Sequence, residues 1–319
     1  MADRASQLTI GTRGSALALR QSEWVAGELR RLHPGLDVEL LIIRTRGDRI
    51  IDRPLTEVGG KGLFVKEIES ALLSGDVDLA VHSLKDVPTE TPPGLALAAF
   101  PPREDPRDVL VCRGAAGLAA LPPGARVATS SLRRIAQLRH VRRDLVFVPI
   151  RGNVDTRLRK LHEGEADAVV LAGAGLVRLG LTSVITEWLS PGVCVPAAGQ
   201  GILCLETRDD DPTTRALVAP LDSPASRACA EAERGVVAAL QGGCDIPLGV
   251  LGGVRESVLH LIAALADLQG SRLIRAEGEG SLGDSSAVGE DVARRLRDLG
   301  AEQTIAGCRK AGLGGPDQG

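Results

Sequence analysis

Apolar residues in the first hundred positions switch between a strand-like run and a helical period. Residues 8–12 form a short apolar run and read as a strand, and Arg13-Gly14-Ser15 as a turn. A helix is predicted over 16–32, stopped by His33-Pro34-Gly35. Residues 38–44 read as a second strand. Apolar residues at 64, 65, 68, 71 and 72 repeat with a 3.6-residue period and predict a helix over 64–73. Strands follow at 78–82 and 95–100. The proline-rich stretch 101–106 reads as a linker, after which the alternation restarts. It gives strands at 126–129, 145–150 and 167–171, helices at 131–140 and 153–161, and a short helix after the last strand. Residues 191–196 look like a crossing point and 201–206 like a strand. Beyond Leu221-Asp222-Ser223-Pro224 the order changes. A long helix at 225–240 precedes strands at 248–254, 258–267 and 271–278 and a helix at 285–299. The expectation is two α/β domains with largely parallel, covered sheets, then a small α+β domain. The glycine-rich end from Ala311 reads as a disordered tail.

Length and composition narrow this picture. A chain of 319 residues suits two or three domains. With 44% apolar and 25% charged residues it has the make-up of an ordinary globular protein. No apolar run reaches about 18 residues, so no transmembrane helix is expected. The N-terminus lacks a charged segment followed by an apolar one, so no secretory signal is expected. Cysteines at 112, 194, 204, 229, 244 and 308 form no C-x-x-C pair and fit no zinc spacing. No metal is expected, and the thiols are expected to be reduced, in cytoplasm.

The net charge of −3 hides an uneven distribution. From Leu121 to Gly180 eleven Arg or Lys face five Asp or Glu, and eleven minus five leaves a local +6. Such a segment is either a solvated basic face or a site for a polyanion. With no Tyr, three Phe and two Trp, the chain can hardly supply the stacking platforms of a single-strand nucleic-acid binder.

In open α/β sheets, ligands sit beyond the C-terminal ends of the strands. Polar residues gather there. Arg13 and Ser15 follow the first strand, and Ser83, Lys85 and Asp86 the third. Thr129, Ser130, Ser131, Arg133 and Arg134 follow another, and Arg151 and Gly152 the next, with Arg157 one turn into a helix. Ser131 or Ser130 could cap that first helix and leave its N-terminus open to an anion. Arginines add two-point recognition of carboxylates. Five converging arginines would repel one another without an anion. Singly, each is as well explained as a surface charge; as a set they point to a carboxylate-rich ligand. Asp86 could stabilise a cation or shuttle a proton, or serve only as a turn residue before Val87-Pro88. Gly59-Gly60-Lys61-Gly62 fails as a phosphate loop, because Lys61 is followed by Gly rather than Ser or Thr. Gly242-Gly243-Cys244 puts a thiol on a loop just past a helix, which singles Cys244 out from the other cysteines.

Longer stretches carry a resemblance. Gly11-Thr-Arg-Gly-Ser-Ala-Leu-Ala18, Thr45-Arg-Gly-Asp48, Gly59-Gly-Lys-Gly-Leu-Phe-Val-Lys-Glu67 and Ala80-Val-His-Ser-Leu-Lys-Asp-Val-Pro88 are among them. So are Arg103-Glu-Asp-Pro-Arg-Asp108, Thr129-Ser-Ser-Leu-Arg-Arg134, Arg151-Gly-Asn-Val-Asp-Thr-Arg157, Ala174-Gly-Leu-Val-Arg-Leu-Gly180, Pro196-Ala-Ala-Gly-Gln-Gly201 and Gly242-Gly-Cys-Asp-Ile-Pro247. In this order, over about residues 8–300, the chain resembles the hydroxymethylbilane synthase (porphobilinogen deaminase) family. The resemblance implies two periplasmic-binding-protein-like α/β domains, at 1–101 plus 202–219 and at 107–195, with the active cleft between them. It implies a small C-terminal α+β domain at 224–310 and leaves 311–319 as the tail. It also implies a transferase of tetrapyrrole and heme biosynthesis that joins four porphobilinogens head to tail with loss of ammonia, then releases the linear product with water. A dipyrromethane cofactor would be held by Cys244 through a thioether.

Site roles follow from the same resemblance. Ser83, Lys85, Asp86, Thr129, Ser131, Arg133, Arg134 and Gly152 would contact the cofactor. Arg13, Ser15, Phe64, Arg151, Arg157 and Arg178 would serve the substrate, with Lys61 on a loop over the cleft and Gln200 in the interdomain region. Asp86 would be the catalytic carboxylate, stabilising the azafulvene formed as ammonia leaves. The implied setting is a cytoplasmic monomer that hands its product to uroporphyrinogen-III synthase, with no nucleic-acid or membrane partner. Glu57 departs from the family, which often has Lys there; Gln241 and Asp245 also differ. A two-lobed solute-binding or sensor module without catalysis remains the rival reading, and would show reversible ligand exchange and no covalent adduct.

Overall fold

The structure, a computed structural model, describes residues 7–49, 62–242 and 246–313. Its first elements are β1 (Gln7–Thr12), α1 (Ala16–Leu32), β2 (Asp37–Ile42), α2 (Arg46–Arg49), α3 (Lys66–Ser74), β3 (Leu79–Ser83) and β4 (Leu95–Ala99). Then come β5 (Asp108–Cys112), β6 (Arg126–Ala128), α4 (Leu132–Val141), β7 (Val146–Val148), α5 (Val154–His162), β8 (Ala168–Ala172), α6 (Gly173–Arg178) and β9 (Glu187–Trp188). The last part holds β10 (Leu203–Arg208), α7 (Pro212–Val218), α8 (Pro224–Ala239), β11 (Leu248–Arg255), β12 (Val258–Ala266), β13 (Leu273–Ser281), α9 (Ser285–Asp298) and α10 (Ala301–Leu313). The chain divides into two compact units, 1–104 with 178–180 and 201–227, and 105–177 with 181–200 and 228–319.

The first unit is built on a five-stranded sheet in the order β2-β1-β3-β10-β4. β1 is parallel to β2 and β3, whereas β10 runs antiparallel to both β3 and β4. Ser15 starts α1, its hydroxyl accepting the Ala18 N–H at 3.3 Å, so one unpaired donor of the first turn is satisfied. Val25, Ala26 and Leu29 of α1 pack on Leu8, Ile10, Val38, Leu79 and Val81. The opposite face of the sheet, through Ala80, carries Ile68 and Leu72 of α3. Each such buried side chain contributes about 1.5–3 kcal/mol.

The second unit repeats the layout in a sheet of order β7-β6-β8-β5-β9. β6 is parallel to β7 and β8, and β5 is antiparallel to β8 and β9. Residues on β5 and β8 alternate between two apolar clusters, Leu110 and Val170 in one, Val109, Val111, Val169 and Leu171 in the other. The same unit holds the antiparallel meander β11-β12-β13. Arg139 donates to Leu268 O at 2.7 Å and Val250 N to Pro196 O at 2.8 Å, which ties that meander to the rest of the unit.

The α/β class with a small α+β sheet is as the residue pattern predicts, but three details differ. Each five-stranded sheet is largely parallel, as expected, but mixed: one strand, β10 in the first and β5 in the second, runs against the other four. Their antiparallel strands, β5 and β10, are entered through extended connections rather than helical crossovers, and only a crossover obliges a strand to run parallel. β5 itself, directly after the proline-rich segment, has no counterpart in the predicted elements, nor have β9 and α7. Finally, α10 runs to Leu313, past the point where a disordered tail was expected.

Candidate active site

In the first unit, the ends of β1 and β3 and the start of α3 converge. Arg13, Gln21, Phe64, His82, Ser83 and Asp86 line one small pocket of about 30 Å³. The Arg13 guanidinium lies over the Phe64 ring, 4.2 Å from its centroid, a cation–π contact that fixes the arginine's direction. Phe64 in turn lies against Gly47, where an added Cβ would fall 2.2 Å from the ring. The glycine of Thr45-Arg46-Gly47-Asp48 is therefore required by the aromatic ring, and the ring supports the arginine. Ser83 Oγ accepts from Gln21 Nε2 at 3.1 Å. Asp86 ends the one-turn 3-10 segment Leu84–Asp86 and is exposed, with Lys85 half-buried beside it.

Arg178, at the end of α6, also belongs to this unit. It donates to Gly201 O at 2.7 Å. Burial lowers its pKa to about 10, against the opposing pull of Glu104. Ser15 is occupied as the α1 cap.

The second unit sorts its strand-end residues into two kinds. Arg133 and Arg134 are each only 6% exposed, and both point at Asp108, which is wholly buried. Arg133 Nη1 is 2.6 Å from Asp108 Oδ2 and Arg134 Nη2 is 2.7 Å from Oδ1. Arg133 also donates to Val195 O and Arg134 to Val170 O. Gln200, buried as well, donates to Asp108 Oδ1 at 2.9 Å and to Pro106 O at 2.7 Å. Burial alone would raise the Asp108 carboxyl, but the two arginines and these hydrogen bonds hold it well below the usual carboxylate range. The anion that converging arginines require is thus supplied, for this pair, by the protein itself. Sequence reasoning missed Asp108 as a functional residue. Its signal was its place in the Arg103–Asp108 motif, but nothing local connects it to arginines 25 residues away.

Ser131 precedes α4 without a side-chain cap, contrary to the expected capping, and Ser130 bonds Ile150 O at 2.9 Å instead. Thr129 is buried and accepts the Ser131 N–H at 3.2 Å. Arg151 and Arg157 are half-buried, and Arg157 Nε donates to Gly152 O at 2.8 Å. Gly152 has φ +104°, and a Cβ there would lie 2.6 Å from Thr156. The loop can turn this tightly only with glycine.

Lys61, Cys244 and Glu57 lie outside the described residues. Of the other cysteines, Cys194, Cys204, Cys229 and Cys308 are buried. Burial pushes the Cys194 thiol up to about 12 and the half-buried Cys112 up to about 11.

The family described as "Porphobilinogen deaminase, dipyromethane cofactor binding domain" matches residues 8–216, and its "C-terminal domain" matches 227–298. A porphobilinogen deaminase of Roseiflexus castenholzii is 52% identical over 302 residues, covering 95% of this chain and 99% of the relative. One from Syntrophobacter fumaroxidans is 50% identical over 305 residues, covering 96% and 98%. Among solved structures, the periplasmic VFT2 domain of Bordetella pertussis BvgS covers 68% of this chain and 86% of its own at 17% identity, with a TM-score of 0.40.

Proposed function

Because the chain belongs to the porphobilinogen deaminase family, whose transferase reaction on porphobilinogen yields hydroxymethylbilane for tetrapyrrole biosynthesis, we propose that Asp86 is the carboxylate that performs it and Cys244 the attachment point of the dipyrromethane. When bound, that cofactor would supply the nucleophilic ring carbon to which the first substrate is joined, each later substrate being joined to the ring before it. The residues present fit it. Its rings carry N–H donors and carboxylates, and this chain offers an exposed acid, several half-buried cations and a loop at Gly152 with no room for a Cβ.

Each residue's part follows from its placement. Asp86 accepts from the pyrrole N–H and faces the positive charge that develops on the substrate as ammonia departs; an anion there lowers the barrier to that departure. Arg13, held by Phe64, binds a substrate carboxylate beside it, and Ser83 and Lys85 add donors at the same strand end. Arg151, Arg157 and the Gly152 loop bind carboxylates in the second unit. Arg133 and Arg134, set by Asp108, support the cofactor side together with Thr129 and Ser131, and Arg178, Ser15, Gln200 and Lys61 complete the substrate contacts. We assign the domains to 1–101 with 202–219, 107–195 and 224–310, and place the enzyme in the cytoplasm as a monomer passing its product to uroporphyrinogen-III synthase.

The observation that carries this reading is Asp86 beside Arg13 and Phe64 at one strand end of a chain half-identical to porphobilinogen deaminases along its length. The test combines intact mass with turnover. Wild-type protein should carry the dipyrromethane mass, and Cys244→Ser should lack it. Asp86→Ala should keep the mass yet lose nearly all turnover. Asp86→Ala turnover within tenfold of wild type, or cofactor mass retained in Cys244→Ser, refutes the corresponding role. The rival binding-module reading survives only if wild type carries no adduct.

A further inference from the structure

A buried acid–base group lies directly behind the strand end that carries Asp86. His82, one residue before Ser83, is 5% exposed, and its Nε2 lies 3.0 Å from Oε2 of the wholly buried Glu206 on β10. The antiparallel register pairs His82 with Cys204 and Ala80 with Glu206. His82 and Glu206 are therefore diagonal neighbours on one sheet face. α3 covers that face and adds a third titratable group, the buried Glu69. Burial, and then the charge of Glu206, raise the Glu69 carboxyl, while His82 and Lys66 oppose the rise. Glu206 Oε1 has no hydrogen-bond partner among the described residues.

Packing alone does not ask for this group. Glu69 apart, the rest of that face is apolar, with Ile68, Leu72, Val77 and Ala80 in one cluster. Burying an ion pair there costs desolvation that apolar side chains would avoid. What the pair does have is position. Leu84 N donates to Ile202 O at 2.9 Å and Val87 N to Leu84 O at 3.1 Å, so the turn after β3 hangs on the start of β10. Adjacent residues on a strand project to opposite faces. Ser83 is held by Gln21 on one face and His82 by Glu206 on the other. Asp86, being exposed, takes its place from that turn.

We propose that His82 and Glu206 form a positioning pair for the reaction: locked together across β3 and β10, they set where the Leu84–Asp86 turn presents the Asp86 carboxylate. The inference rests on Asp86 being the catalytic carboxylate. A displacement on the order of 1 Å at a reacting centre can lower turnover about a hundredfold, so the pair acts on kcat rather than on binding.

The test uses holoenzyme and porphobilinogen, with intact mass confirming equal cofactor load. The double variant His82→Leu/Glu206→Met replaces the pair by apolar side chains and leaves neither of its members behind without the other. It should keep its melting temperature within a few degrees but lose tenfold or more in kcat, with KM within about threefold of wild type. His82→Gln, whose amide can still donate to Glu206, should recover most of kcat. A double variant with kcat within twofold of wild type overturns the proposal, and so does a His82→Gln enzyme as slow as the double. If the double variant does not fold, His82→Asn, too short to reach Glu206, decides by the same kcat criterion. Wild type without turnover would instead sink the functional reading, so the two failures are distinguishable.

Discussion

Replacing Asp108 with asparagine keeps the side chain's shape and removes the one carboxylate shared by Arg133 and Arg134. Both guanidinium groups would stay buried, with backbone partners at Val195 O and Val170 O but an amide where the anion was. Removing one partner of a buried ion pair costs about 3–5 kcal/mol, because the surviving charge has neither water nor counter-ion. The asparagine oxygen can still accept from one arginine, so the lower half of that range is expected. At roughly 2–4 °C per kcal/mol for a unit of this size, the melting temperature should drop by about 6–16 °C. The sign of the pH dependence follows from the depressed carboxyl. Its stabilising contribution is complete above the ordinary value of 3.8 and is lost as pH falls below it. Melting followed by circular dichroism should therefore show a gap between wild type and variant that is constant from about pH 5 to 8 and narrows in stronger acid. A melting temperature within 2 °C of wild type at neutral pH would refute the claim that this cluster holds two uncompensated charges in place, as would a gap that widens on acidification.

Two further outcomes follow from single contacts. Gly47→Ala places a methyl 2.2 Å from the Phe64 ring, so the ring and the Arg13 above it must move. Turnover at low porphobilinogen should fall at least tenfold while the melting temperature changes little, and unchanged kcat/KM would show that the Arg13–Phe64 stack plays no part. Native protein treated with iodoacetamide at pH 8 should be unmodified at Cys112 and Cys194, whose thiols burial pushes up to about 11 and about 12. Peptide mapping reads this directly, and carbamidomethylation of either thiol without unfolding contradicts their burial.

Much of the architecture is legible in the chain because local chemistry repeats the global answer. α1 starts and stops where Ser15 and His33-Pro34-Gly35 place it, and the period of 64–73 yields α3 to within two residues. β5 is not legible. It has only five residues, follows a segment of three prolines and four charged residues, and all but its last residue are buried, so its sequence offers neither alternation nor a turn signal of its own. Strand direction is illegible for a different reason. Side-chain patterning records which faces are buried, not which way a strand runs, so the reversal of β5 and β10 appears only in three dimensions. The strand-end logic did bring Arg13, Ser83 and Asp86 to one place. It could not tell that Arg133 and Arg134 are already engaged by a buried acid, because that depends on Asp108, Gln200 and Val195, all distant in sequence.

That separation changes what the basic segment means. A local excess of positive charge in the sequence suggests a raw cationic surface, and such a surface would bind any polyanion. Instead, the two arginines at its centre share a buried carboxylate and are fixed by it. Arg133 and Arg134 hold Asp108. Arg178 holds a backbone carbonyl and leans on Glu104. Arg13, Arg151 and Arg157, by contrast, combine partial exposure with a strand-end position. Guanidinium groups whose direction is set before a ligand arrives lose little entropy on binding it, and they repel one another less while waiting. On the proposed function the basic residues divide their work: an inner pair, sharing one buried carboxylate, shapes the strand ends, and an outer few are placed to select carboxylates by geometry. An enzyme that must hold a lengthening oligomer of carboxylates, yet release it at the end, is better served by this division than by a uniform field, because each new carboxylate meets a few placed contacts rather than the summed attraction of every arginine in the segment.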